Sequence, residues 1–234
     1  MSPVIDFCIK KVFIFDWDGT ILDSAAQKLN GLPCVLTRFY VQNYNVTVST
    51  DDIKATYASL CGYPRRDIFF DISRRLGLPV TDAQYERFNS DLCRYYQVEL
   101  LQAPLFTDAL RLIDVLHSRG RVLFISSSVP HTELLLITRT KLDPAHYSMF
   151  SAIFGSAENF TKGVQHLSRV GEMSRCTNDE ILFIGDDRAD YELSSAAGVD
   201  CVIVDRQQRH AGEELPVVAS LDLLIDRIST CVLH

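Results

Sequence analysis

Two aspartates, Asp16 and Asp18, stand one residue apart directly after the apolar run Val12-Phe13-Ile14-Phe15, and Gly19 and Thr20 follow them. Carboxylates this close repel, and only a cation, or a proton held on one of them, offsets that cost. An Asp-Gly turn accounts for Asp18 and Gly19 but not for Asp16 or the run before it. A second group, Asp186, Asp187 and Asp190, follows Ile181-Leu182-Phe183-Ile184-Gly185. A helix cap uses one such carboxylate, whereas three in five residues suit a hard cation with oxygen ligands. Asp16, Asp18 and Asp186 together can hold one Mg2+, and no thiolate or imidazole set of the kind zinc prefers accompanies them.

Two further places carry polar residues suited to an anion. Ser126-Ser127-Ser128 ends the run Val122-Leu123-Phe124-Ile125 and leads towards a helix, whose free N–H groups suit an oxyanion; an ordinary helix cap is the alternative. Lys162 is the only lysine after Lys141 and is expected early on a helix, where it opposes the helix dipole unless an anion waits there.

These residues need a sheet to bring them together. Short apolar runs at 12–15, 122–125, 152–154, 181–184 and 201–204 read as buried parallel strands, with helical patterns between them. The expected fold is α/β: a doubly wound, Rossmann-like parallel sheet whose ligands lie beyond the carboxyl ends of its strands. From Asp23 to Ala103 the pattern is helical throughout, with nine basic and nine acidic residues and no convincing strand. The chain therefore divides into a core of residues 1–23 and 104–234 and a nearly neutral helical insertion, 24–103. Within the insertion, Gly31-Leu32-Pro33 is expected to break the first helix, and a capping box at Thr81-Asp82-Ala83-Gln84 to open a long one. After Asp205 a tail is expected to hold one helix within 216–228.

With 234 residues, 47% hydrophobic and 23% charged, the chain is globular. A formal charge of -7 provides no basic field for nucleic acid or an anionic membrane, so any anion must be held locally. Seven scattered cysteines without a Cys-x-x-Cys pair point to reduced thiols and a cytoplasmic location. No signal peptide or membrane span is expected, because the first apolar run ends at Asp16.

In order along the chain, Asp16-Trp17-Asp18-Gly19-Thr20, Ser126, Lys162 and Gly185-Asp186-Asp187-Arg188-Ala189-Asp190 resemble the four motifs of the haloacid dehalogenase-like hydrolase superfamily. The helical insertion falls where subclass I of that superfamily carries its α-helical cap domain. The first motif is the most specific, and the second and third match by position. Relatives of the phosphoglycolate phosphatase type usually read Gly-Lys-Pro where this chain has Thr161-Lys162-Gly163.

The resemblance implies a Mg2+-dependent phosphatase that acts on a small phosphorylated metabolite through an aspartyl-phosphate. Asp16 is then the nucleophile and Asp18 the general acid and base. Ser126 and Lys162 hold the phosphoryl oxygens, with Trp17 and Ser127 beside the substrate. Asp16, the backbone carbonyl of Asp18 and Asp186 ligate the metal, while Asp187 and Asp190 organise its surroundings. In the insertion, Cys61-Gly62-Tyr63-Pro64-Arg65-Arg66 resembles a specificity loop, so Arg65 and Arg66 are expected to read the rest of the substrate. A phosphomutase of the beta-phosphoglucomutase type, or a catalytically silent binding protein of the same fold, is the alternative. The protein is expected to be a monomer or homodimer, without nucleic-acid or membrane partners.

Overall fold

Strand β1, Val12–Phe15, is fully buried at every position and forms the middle of a six-stranded sheet, all of whose pairings are parallel. The computed structural model describes residues 5–60 and 63–231. The other strands are β2 (Val122–Pro130), β3 (Phe150–Ser156), β4 (Ile181–Gly185), β5 (Asp200–Val204) and β6 (Val217–Val218). Their order is β3-β2-β1-β4-β5-β6. After β3 the chain crosses to the other side of β1, so connections leave β1 and β4 in opposite directions. That reversal opens a crevice beyond the carboxyl ends of β1 and β4. Phe15 is in register with Ile125 of β2 and Ile184 of β4, which brings three of the polar turns to one edge of the sheet.

Two compact units emerge, one of Met1–Asp23 with Pro104–His234 and one of Ser24–Ala103. In the first, the Asp23 N–H donates to Pro104 O at 2.9 Å, which pins the two points where the insertion leaves and returns. Alternation along the strands sends Val12, Ile14, Phe124, Ile181, Phe183 and Ile203 into one core with Leu167 and Val170.

The second unit contains α1 (Ala25–Tyr44), α2 (Thr50–Ala58), α3 (Arg65–Arg75) and α4 (Asp82–Glu99). Phe39, Phe69 and Phe88 meet at its centre, with Phe69 stacked on Phe88 at 4.9 Å. Thr81 and Gln84 form the expected capping box of α4. The expected break at Gly31-Leu32-Pro33 does not occur: α1 runs through it, with Pro33 inside and buried. Packing overrides the proline, because a Cβ at Gly31 would stand 2.6 Å from the Tyr96 ring and 2.8 Å from that of Tyr95. The glycine is there to let α1 and α4 approach.

The first unit's helices are α5 (Thr107–Ser118), α6 (His131–Lys141), α7 (Pro144–Met149), α8 (Val164–Ser174), α9 (Arg188–Ala196) and α10 (Asp222–Ser229). The structure adds α7 and β6 to the expected elements; six residues and two residues are too short to show a period. Strand β2 also continues past Ile125 to Pro130, through hydroxyl residues that carry no apolar signal. Among the described residues no helix is long and apolar enough to cross a membrane.

The expectation of seven reduced thiols is corrected. Cys8 and Cys231, with Cα atoms 5.1 Å apart and a sequence separation of 223, form a disulfide, while Cys34, Cys93, Cys176 and Cys201 are not disulfide-bonded. Single cysteines near opposite ends of a chain give no sign that the fold brings them together. The cytoplasmic expectation loses its premise with them.

Candidate active site

The crevice is built from four turns, each leaving the carboxyl end of a strand or entering a helix. Beyond β1, the Asp16 N–H donates to Ile184 O at 2.8 Å, so the chain is still tied to β4 when it presents that carboxylate, which is 4% exposed. The next residues fold back at once: the N–H groups of Ile21 and Leu22 donate to Trp17 O, and Gly19 N–H donates to Leu22 O. Gly19 has φ +77°, and a Cβ there would lie 2.1 Å from Asp186 Oδ2. Glycine is thus required twice, for its dihedral and for its size. Gly19→Ala is expected to leave a folded protein with turnover reduced about 100-fold or more, since it displaces one carboxylate of the group described next. Initial rates and far-ultraviolet circular dichroism check it.

Beyond β4, Gly185 and Asp186 repeat the close approach. A Cβ on Gly185 would stand 2.2 Å from Asp190 Oδ2, and the Asp186 N–H donates to that oxygen at 3.3 Å. Asp187 is the N-cap of α9 and accepts from Ala189 N–H at 3.1 Å, while Asp190 occupies the first turn of that helix. Asp16, Asp186 and Asp190 each offer an oxygen within 4.8 Å of the others. Lys162 joins two of them: its Nζ is 2.6 Å from Asp16 Oδ1 and 2.5 Å from Asp190 Oδ1. Lys162 lies in the turn before α8 rather than on the helix, because Gly163 takes φ +116° as the N-cap. Proline, fixed near φ -65°, is incompatible with that backbone, so the Lys162-Gly163 departure has a structural consequence.

On β2, Ser126 is buried and its Oγ is 2.9 Å from His166 Nδ1 of α8. Burial, then the nearby Lys162 ammonium, lowers His166 to about 4, so the ring is neutral. Ser127 Oγ is also buried and accepts from Val129 N–H at 3.2 Å.

The sequence matches the haloacid dehalogenase-like hydrolase family over residues 13–204. The chain belongs to that family. No curated protein matches it. Among solved structures it resembles a predicted phosphoglycolate phosphatase of Haemophilus somnus (16% identity, 93% of this chain and 97% of that one, TM-score 0.70). A haloacid dehalogenase-like family hydrolase of Streptococcus pneumoniae is similar at 16% identity, over 93% and 98% of the two chains, with TM-score 0.71. A candidate HAD hydrolase of Bacillus subtilis, described as bound to magnesium and showing interdomain movement, matches at 19% identity over 94% and 98%, with TM-score 0.66.

In this haloacid dehalogenase-like hydrolase the carboxylates are held under electrostatic stress. Burial pushes Asp16 well above the usual carboxylate range; Lys162 opposes this, and Asp190, Asp186 and Asp18 add to it. Burial, followed by Asp190, pushes Asp186 up to about 6, against the pull of Arg209. Burial disfavours the Lys162 ammonium too, but Asp16 and Asp190 outweigh it and raise its pKa. Three carboxylates facing two cations, Lys162 and the partly exposed Arg209, leave an excess of negative charge, and their donors are oxygens alone. The set fits a hard divalent cation such as Mg2+.

The structure thus gathers Asp16, Lys162, Asp186 and Asp190, with Asp190 inside the carboxylate group rather than around it. The Asp18 carboxylate is not part of that group, although it is close enough to act on Asp16. Trp17 is fully buried. In the helical unit, Arg65 Nη1 donates to Cys93 Sγ at 3.5 Å and its guanidinium lies 5.3 Å from the centre of the Tyr96 ring. Arg66 pairs with Asp82 and sits 4.8 Å over Phe70. Cys61 and Gly62 of the same loop lie outside the described residues. Three residues escape sequence reasoning. His166 sits four positions after Lys162, and Arg206 and Arg209 sit in the tail; Arg206 Nη1 donates to Gly19 O at 3.3 Å and Nη2 to Asp108 Oδ1 at 2.7 Å.

Proposed function

We propose that this haloacid dehalogenase-like hydrolase is a Mg2+-dependent phosphatase for a small phosphorylated metabolite, working through an aspartyl-phosphate on Asp16. The observation that carries it is the buried Asp16 carboxylate, fixed by Lys162 at the edge of the crevice within 4.8 Å of two further carboxylates. A carboxylate so held is oriented for in-line attack on phosphorus, which divides one difficult displacement into two easier ones. As Asp16 Oδ bonds to phosphorus, the ester oxygen leaves and takes a proton from Asp18. The Asp18 carboxylate then removes a proton from water as that water attacks, and the bond between phosphorus and Asp16 breaks. Such acid–base assistance typically contributes about 10²–10⁴ in rate. Lys162 and Ser126 hold the non-bridging oxygens, and the neutral His166 beside Ser126 fixes its hydroxyl without adding a charge.

Asp16, Asp186 and the backbone carbonyl of Asp18 would hold Mg2+, while Asp190 keeps Lys162 and the Asp186 N–H in place. When bound, the ion offsets repulsion between the carboxylates and a phosphate dianion.

The acidic group links metal to pH. A carboxyl whose folded pKa is near 6 rather than 3.8 takes up its proton in the folded protein first, so it favours folding at low pH and loses that advantage as pH rises between those values. Metal binding must expel the proton. Mg2+ is therefore expected to raise the thermal midpoint more at about pH 7.5 than at about pH 5; an equal shift at both would contradict metal binding at Asp186.

Release of phosphate from p-nitrophenyl phosphate, with and without EDTA, tests the activity itself. Phosphate release that EDTA abolishes supports the proposal, and release that EDTA leaves untouched removes the metal from it. A panel of phosphorylated metabolites then finds the substrate; a phosphomutase would release little phosphate and require a bisphosphate activator.

A further inference from the structure

The chain beyond Val204 lies outside the family match, yet it returns to the site. It does so on a loop with its own supports. Asp205, largely buried, accepts from the N–H groups of Arg209 and His210, both at 2.8 Å, and winds the loop around its carboxylate. Gln208 takes φ +55°, a left-handed conformation uncommon for a residue with a side chain, immediately before Arg209. Arg206, in the same loop, is held by Asp108 and by the Gly19 carbonyl. Arg209 is thus delivered by built backbone. Its Nη2 lies 3.1 Å from Asp186 O and 3.0 Å from Asp186 Oδ2.

Of the three carboxylates, Asp16 and Asp190 share Lys162, and Asp186 has Arg209. We propose that Arg209 is a tethered counter-ion that occupies Asp186 in the metal-free protein and competes with a divalent cation for it, so that loading the site exchanges a guanidinium for a metal. The inference rests on the metal reading above and concerns how that metal is admitted. A guanidinium and a hard cation seek the same carboxylate lone pairs, and arginine does not lose its proton to yield the place. The two tethered cations differ in freedom. The Lys162 side chain is 11% exposed and locked between two acids, whereas that of Arg209 is 47% exposed and has solvent to swing into. Exchange at Arg209 therefore leaves the Lys162 bridge undisturbed. The cost is affinity, since a partly exposed ion pair must be broken before the metal enters.

The test is Mn2+ binding to the full chain, read as loss of the free-ion signal in electron paramagnetic resonance at fixed ionic strength. Arg209→Gln is expected to bind Mn2+ about five-fold more tightly than the parent, and Arg209→Lys to fall between them. In the absence of metal the thermal midpoint of Arg209→Gln is expected below that of the parent, because three carboxylates then share one cation. Should Arg209→Gln not fold, Arg209→Lys carries the test, and tighter binding than the parent remains the expected result. Binding equal to or weaker than the parent's in these variants overturns the exchange while leaving the metal site standing. No binding to any of the proteins overturns both.

Discussion

Asp16→Asn is expected to lower turnover of phosphate esters by about 10⁴-fold or more while the protein remains folded. The amide has nearly the shape of the carboxylate, and its oxygen can still accept from Lys162 Nζ, now 2.6 Å from Asp16 Oδ1. What it lacks is the nucleophile and one anionic donor. Because Asp16 is buried among like charges, losing its carboxyl relieves repulsion, so the metal-free variant should be at least as stable as the parent. The stabilisation conferred by Mg2+ should shrink. Steady-state rates and thermal midpoints with and without Mg2+ separate these effects. Activity near that of the parent would remove Asp16 from the chemistry, and a collapsed fold would show that its role is structural.

Lys162→Met is expected to have the largest effect on stability. Its ammonium bridges Asp16 and Asp190, whose side chains are only 6% and 3% exposed. Breaking a buried pair by removing one partner costs about 3–5 kcal/mol when the remaining charge has no compensation. Here the deficit has an outlet, because the Asp16 carboxyl, already pushed upward by burial, can take a proton. Without the ammonium that opposes it, the Asp16 pKa rises further in the folded state, which favours folding at low pH and withdraws that support as pH rises. The deficit should therefore be largest near pH 7.5 and smaller near pH 5, measured by urea unfolding at about those two values. Turnover should also fall, since no ammonium remains to hold the phosphoryl oxygens. An equal deficit at both pH values would mean that the acids are not coupled through this lysine.

The readable parts of the site were those where chemistry changes abruptly along the chain. Asp16 and Asp186 stand directly after apolar runs that could only be strands, and parallel strands put such residues at one edge. The helices of the insertion were legible because helical patterns follow one another there with no convincing strand between them. Interactions that depend on distant packing were not. Pro33 signals a break locally, but the approach of α1 to Tyr95 and Tyr96 keeps the helix whole. Asp190 and Asp187 look equivalent in sequence; the N-cap geometry of α9 commits Asp187 to the backbone and sends Asp190 to Lys162. Arg206 and Arg209 belong to no motif, and nothing in Arg206-Gln207-Gln208-Arg209 announces that a loop folded around Asp205 returns them to Gly19 and Asp186. Cys8 and Cys231 meet for the same reason, as ends of a chain that only the finished fold brings together.

The covalent step on Asp16 is the centre of this account, and trapping it is the most direct measurement. The Mg2+-supplemented protein is mixed with an ester labelled in its phosphoryl group, quenched in acid during turnover, and digested to peptides. The account predicts label on the peptide containing Asp16, in amounts that decline when unlabelled substrate is added, and none in Asp16→Asn. Labelled phosphate appearing while no peptide carries label, or label on a peptide without Asp16, would contradict it.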